Sequence, residues 1–251
     1  MTNNPGFTEA FMKRWKYGFI PILGLAVIAA LIYAGIIQLN RPSREVYPVR
    51  GVDVSHYQGN IDWNKLEAQG IMFAFIKATE GSSHTDSMFQ ANWENVAQTE
   101  LRAGAYHFFS FESSGQTQAE NFINTVSFID NMLPPVVDVE PYGKYKAVKD
   151  NPAVISEMQD WLDAVEAEYG MKPVIYTTEA YYNDFIAAEF QDYDIWIRSV
   201  YKQPSDSIQW TFWQYSNRMR LDGYDGEERF IDMNAFNASV ESFRAYGHGS
   251  F

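Results

Sequence analysis

The stretch PPVVDVE, residues 134–140, reads as a short buried strand that ends in two carboxylates. Two prolines lead into an apolar run, and Asp138 and Glu140 follow with one valine between them. In a strand, residues two apart point to the same face. Burying charge without partners is costly. A core strand that aims two carboxylates at one place therefore asks for a chemical reason.

The segments on either side place this strand in a larger pattern. QTQAENFINTVSFI (116–129) before it and NPAVISEMQDWLDAVEAEYG (151–170) after it both read as helices. The second has Pro152 near its first turn and Gly170 past its end. Further out, RGVDVS, IMFAFIKAT, AGAYHFFSF, KPVIYTT and YDIWIRS read as strands. DWNKLEAQG, SMFQANWENVAQTEL and AYYNDFI read as the helices between them. IQWTFWQYS and RFIDMNAF read as two late strands around a Gly-containing loop. Strands alternating with helices predict parallel β/α units. The expected fold is thus α/β, a single irregular (β/α) barrel of the TIM-barrel-like type, short of helices near its end. In such a barrel functional side chains sit at the C-terminal ends of strands. Asp53 with Ser55, Lys77, Tyr106 with His107, Asp138 with Glu140, Tyr176 and Asp232 hold that position here.

The chain has 251 residues and a net charge of −13, unevenly spread. Residues 1–50 carry six Lys/Arg against two Asp/Glu, which leaves 13 basic and 30 acidic residues beyond them, a net of −17. Nucleic-acid affinity comes largely from cationic contacts to phosphate, so no nucleic-acid partner is expected. The absence of cysteine excludes disulfides, thiolate metal sites and cysteine nucleophiles.

The run GFIPILGLAVIAALIYAGIIQL, residues 18–39, is 22 residues long and uncharged. At about 1.5 Å per residue it is long enough to cross a bilayer core of roughly 30 Å. Lys13, Arg14 and Lys16 precede it and predict a cytoplasmic start. The expected organisation is a cytoplasmic segment 1–17, a transmembrane signal anchor 18–39, a linker 40–50, and a main domain 51–251 outside the cytoplasm. A cleaved signal peptide is the alternative, leaving a secreted protein. Its best cut, after Ala34, puts Ile32 where a small residue is wanted.

Asp138 and Glu140 would lie about 6.6 Å apart along an ideal strand. Paired carboxylates near this spacing suit glycoside hydrolysis. One donates a proton to the leaving oxygen, and a neighbouring negative charge helps to keep it protonated. The other stabilises positive charge at the sugar carbon.

Seven motifs in order resemble the glycoside hydrolase family 25 lysozymes: GVDVSHYQGNIDW (51–63), FIKATEG (75–81), GAYHFF (104–109), PPVVDVE, VIYT (174–177), WQYS (213–216) and DMNAF (232–236). The resemblance spans about residues 51–240. It implies a β/α barrel that cleaves the β-1,4 bond between N-acetylmuramic acid and N-acetylglucosamine in peptidoglycan glycan strands, with no cofactor and no metal. By that resemblance Glu140 is the acid, Asp138 the carboxylate that orients the substrate N-acetyl group, and Asp53 and Asp232 further pocket acids. Tyr106 and Tyr176 match pocket tyrosines. WIRSVY (196–201) departs from the W-I-A-x-Y of many relatives, placing Arg198 where they have alanine.

Structural readings stand beside these roles. Asp53 in DVS suits an Asx turn. Tyr106 and Tyr176 suit a core with satisfied hydroxyls. Trp213 and Tyr215 share one strand face, for stacking on sugar or for packing, whereas His107 reads as packing and Lys77 as an ion-pair partner. Two rival functions fit the acids: a metal-dependent phosphoesterase, and a non-catalytic glycan-binding module on the same barrel.

Overall fold

The computed structural model describes residues 21–38, 40–147 and 152–247. The chain divides into two compact units, Met1–Leu39 and Asn40–Phe251. In the first, 21–33 is helical, a length of roughly 20 Å. Among the described residues no helix is long and apolar enough to cross a membrane. The expected cytoplasmic segment 1–17 lies outside the described residues, as do 18–20 and 39 at the two ends of the apolar run.

The second unit is a closed barrel. Its strands are β1 (Arg50–Val54), β2 (Phe73–Glu80), β4 (Arg102–Phe108), β5 (Val136–Asp138), β6 (Val174–Thr178), β7 (Ile195–Arg198), β8 (Phe212–Met219) and β9 (Ile231–Phe236). A short β3 (His84–Thr85) folds back on the end of β2. The pairing order is β1-β9-β8-β7-β6-β5-β4-β2, and β1 pairs with β2 to close the ring. All pairings from β1 through β2 to β8 are parallel, and β9 runs antiparallel to both β8 and β1. The expectation of parallel units thus holds except at the end. There β8 and β9 form a hairpin, which is why no helix is needed between them.

Local signals explain the connecting helices. Asp62 caps Trp63–Ala68 by accepting from Lys65 N at 3.1 Å, and Gly70 leaves that segment at φ 82°. Ser114 caps Gly115–Thr125 by accepting from Thr117 N. Pro152 opens the long helix Pro152–Tyr169, where its missing N–H is not needed.

Two apolar layers result. The helices pack outside the barrel on the outward faces of the strands. Inside lie Phe73, Phe75, Val136, Val174, Tyr176, Trp196, Phe212 and Phe236, with Phe243 from the closing helix Val240–Ala245. Gly51 and Gly104 make room for this filling. A Cβ at Gly51 would meet the Phe73 ring at 2.4 Å, and one at Gly104 the Phe75 ring at 2.7 Å.

The stretch 40–50, expected as a linker, is tied to the barrel within the same compact unit. Asn40 Nδ2 donates to Ser199 O and Lys202 O at 2.9 and 2.8 Å. Tyr47 packs on Trp210 and Trp213.

Candidate active site

Strand alternation places the acids. Phe73, Phe75, Trp196 and Phe212 face inward, so the inward residues one step further toward the C-terminal ends are Lys77, Arg198 and Gln214. The register sets Asp53 opposite Asp232, Tyr106 opposite Lys77, and Asp138 opposite Tyr176 and Phe108. The barrel interior therefore changes from aromatic to polar within one strand repeat, at the end where a (β/α) barrel carries its site.

β5 ends at Asp138, two residues short of the expected Glu140. Its backbone stays clamped on both sides. Phe109 N donates to Asp138 O, and Val139 N donates to Tyr176 O, each at 2.9 Å. The Asp138 carboxyl is buried, and its Oδ1 has no hydrogen-bond partner among the described residues. Glu140 lies just past the strand and is half-buried. Burial, then the adjacent Glu140 charge, push Asp138 well above the usual carboxylate range, against the pull of Lys77.

Across the mouth two amides bind the remaining acids. Gln214 Nε2 donates to Asp53 at 3.0 and 3.2 Å and to Asp232 Oδ2 at 2.9 Å. Its Oε1 accepts from Tyr176 OH at 3.0 Å, which fixes the amide orientation. Asn234 Nδ2 donates to Asp53 Oδ2 at 2.8 Å, while its Oδ1 accepts from Trp196 Nε1 at 2.8 Å. Burial raises Asp53 to about 6, while Gln214, Asn234 and the Arg198 charge hold it down. Asp232 is pushed well above its ordinary value by burial and then by Asp53. Asp53, Asp138 and Asp232 are each held above the ordinary carboxylate value, with a neighbouring acid among the causes.

Tyr106 lines a hollow of about 360 Å³ together with Asp53, Asp232, Tyr57, Phe230 and Glu228. Burial and then Asp53 and Asp138 keep its phenol protonated, and burial does the same for Tyr176. A second hollow, lined by Glu80, Phe108, Ser110 and Tyr142, opens at the ends of β2 and β4.

Of the expected site residues, the structure brings Asp53, Asp138, Glu140, Asp232, Tyr106 and Tyr176 to one mouth. Trp213 and Tyr215 go elsewhere. Both lie on the outward face of β8 in the packing layer, Trp213 donating to Ser199 O at 2.9 Å and Tyr215 lying under the Arg50 guanidinium. His107 is buried between Thr79 and Gln118, and burial lowers it to about 4. Lys77 pairs with Glu80 at 2.6 Å. Gln214, Asn234 and Trp196 are site residues that the sequence reading missed, and Arg198, noted there only as a departure from the family pattern, joins them. The signal for them is strand parity: they share the inward face with Asp53 and Asp232. Among the described residues no group of three or more His, Asp or Glu converges to hold a metal ion. The position between Asp53 and Asp232 is filled by an amide donor.

A profile of the family described as "Glycosyl hydrolases family 25" matches residues 52–224. An uncharacterised Escherichia coli protein, YegX, is 38% identical over 210 residues, covering 81% of this chain and 75% of that one. Lysozyme M1 of Streptomyces globisporus is 34% identical over 219 residues, covering 80% and 72%. The solved family 25 glycosyl hydrolase of Bacillus anthracis superposes with a TM-score of 0.77 at 46% identity, over 83% of this chain and 97% of that one. With a profile match over most of the chain, a barrel of the same architecture and an acidic mouth, the chain belongs to glycosyl hydrolase family 25, the lysozyme and muramidase family.

Proposed function

We propose that this glycoside hydrolase is an N-acetylmuramidase, cleaving the β-1,4 bond between N-acetylmuramic acid and N-acetylglucosamine in peptidoglycan. The observation that carries the reading is the buried, unpartnered Asp138 Oδ1 beside Glu140. A buried acceptor without a donor is costly unless a ligand supplies one. The amide N–H of a substrate N-acetyl group is such a donor. Once docked there it favours negative charge on Asp138, and the proton that the pair retains then sits on Glu140. Glu140 passes that proton to the leaving glycosidic oxygen as the bond breaks. The acetyl carbonyl oxygen attacks the sugar carbon, and Asp138 offsets the positive charge that develops on the amide. Water, giving a proton back to the Glu140 carboxylate, then opens the cyclic intermediate, with net retention and no covalent bond to the protein. Asp53 and Asp232, locked by Gln214 and Asn234, shape the floor of the pocket.

Mass spectrometry of digested peptidoglycan tests the bond. The expected fragments carry N-acetylmuramic acid at the new reducing end; N-acetylglucosamine there, or clipped peptides on intact glycan, would refute the assignment. Proton NMR of the first-formed product tests the route, because an α-anomer means inversion and excludes substrate assistance.

For location, we infer that residues 18–39 hold the barrel outside the cytoplasmic membrane. The uncharged 22-residue run behind Lys13, Arg14 and Lys16 supports this reading. Protease added to spheroplasts releases a fragment of about residues 45–251 if it is right. Protection of the barrel in intact spheroplasts would refute it, and soluble protein beginning near residue 35 would establish signal cleavage instead.

A further inference from the structure

The outer wall of the barrel at β1, β9 and β8 carries a third hollow, unrelated to the acidic mouth. Arg50, Met233 and Tyr215 lie on the outward faces of these strands, and they line a cavity of about 550 Å³. The segment 40–49 runs over its edge and adds Arg41 and Arg44, and Arg220 completes the set. Among the described residues four arginines line this cavity and no Asp or Glu does, although residues 51–251 carry a net charge of −17.

Arg50 makes this more than a basic patch. It is 2% exposed, and its Nη1 is buried with no hydrogen-bond partner among the described residues. Its Nη2 donates to Pro42 O at 2.6 Å, and its guanidinium lies 5.0 Å from the Tyr215 ring centroid. Burial works against the Arg50 charge; the Tyr215 phenol eases this, and Arg44 and Arg41 add to it. A guanidinium does not lose its proton in a protein, so the remedy is an anion. The planar donor edge of arginine suits phosphate oxygens.

We propose that this cavity binds the phosphate of an anionic phospholipid headgroup and seats the barrel wall on the membrane surface. Two observations select a lipid over a soluble wall polyanion. Met219, Leu221, Met233 and Ile71 line the cavity beside the arginines, which suits a phosphate carried on an apolar body. Arg41 and Arg44 follow directly on the apolar run 18–39, so this point rests in part on that run lying in the membrane. Arginines beside a membrane surface draw anionic lipid.

The test uses residues 40–251 without the apolar run, so that membrane insertion cannot mimic headgroup binding. This part folds by itself: both apolar clusters lie between Tyr47 and Tyr246, and the solved Bacillus anthracis chain is almost wholly the matched barrel. Vesicles of phosphatidylcholine alone and of phosphatidylcholine with an equal part of phosphatidylglycerol are sedimented with the protein at about 0.1 M salt, where charges beyond roughly 10 Å are screened. The protein should sediment with the phosphatidylglycerol vesicles and not with phosphatidylcholine alone. The exposed pair R41Q/R44Q should weaken this by about 30-fold while lysing wall suspensions at the parent rate. Equal sedimentation with both vesicles, or a variant that binds as the parent does, overturns the proposal. Binding of inorganic phosphate or of wall polymer without binding of the vesicles overturns the lipid assignment. Failure of the muramidase reading would appear separately, as a parent protein that binds vesicles but does not cut walls.

Discussion

Gln214→Leu removes the amide that Asp53 and Asp232 share while keeping the side chain near its original size. Asp53 then retains the Asn234 bond at 2.8 Å and loses the Gln214 contacts at 3.0 and 3.2 Å. A hydrogen bond to a charged group contributes about 1.5–3 kcal/mol. One pKa unit corresponds to about 1.4 kcal/mol. Asp53, held at about 6 in the parent, should therefore rise to roughly 7–8 in the variant. The same change strands the Tyr176 hydroxyl, which donates to Gln214 Oε1. An orphaned buried donor costs about 1–3 kcal/mol, and in a chain of this size each kcal/mol lowers Tm by about 2–4 °C. Carboxyl-carbon NMR of labelled aspartate, titrated from pH 3 to 9, reads the Asp53 midpoint directly and needs no activity. A midpoint at or below 6 in a folded Gln214→Leu protein would refute the assignment of Gln214 as the group that keeps this acid ionised.

Glu140→Gln should leave the fold intact and cut wall lysis by about 10²–10⁴-fold, the usual loss when general acid catalysis is removed; a variant keeping more than about a tenth of parental turnover takes Glu140 out of that role. Asp138→Asn should be severely impaired in lysis yet melt higher than the parent at pH 7, because burial and Glu140 disfavour the Asp138 charge; a lower Tm would contradict the burial argument. Asp53 and Asp232, like Asp138, bind a proton more tightly folded than unfolded. The stability they contribute is complete below the unfolded value of 3.8 and is lost as pH rises, for Asp53 through about 6. Scanning fluorimetry should thus show Tm falling from pH 4.5 to pH 7, and a rise over that window would falsify the linkage. Gly104→Ala presses a methyl on the Phe75 ring and should cost about 1–3 kcal/mol in urea unfolding.

How far the sequence carried depended on what kind of information each element needed. Long amphipathic helices such as Pro152–Tyr169 and apolar strands such as Phe73–Glu80 declare themselves by period and by caps. The direction of β9 does not, because a strand reads alike parallel or antiparallel, and only its partner decides. The closing helix Val240–Ala245 is six residues long and too brief for a period to show. Parity decided the site. Trp213 and Tyr215 were legible as one strand face, but the barrel turned that face outward and gave the mouth to Gln214. A one-residue difference in facing exchanges every side chain on a strand, and nothing in FWQYS alone fixes it. The acids were readable because buried carboxylates are rare; the amides that hold them were not, because a neutral Gln or Asn carries no charge whose burial asks for a reason.

The closure of the ring by its first and last strands sets the order in which the protein can become itself. Asp53 and its donor Asn234 are 181 residues apart in sequence. Contacts of such separation form late, since the chain must surrender loop freedom before they reward it. Until β9 emerges, β1 lacks the neighbour on its other side, the wall stays open between β1 and β8, and Asp53 stands without Asn234. A chain still in synthesis, or one truncated before Ile231, holds Glu140 and Asp138 but not the finished mouth. Competence to cut arrives only with β9, which completes the mouth.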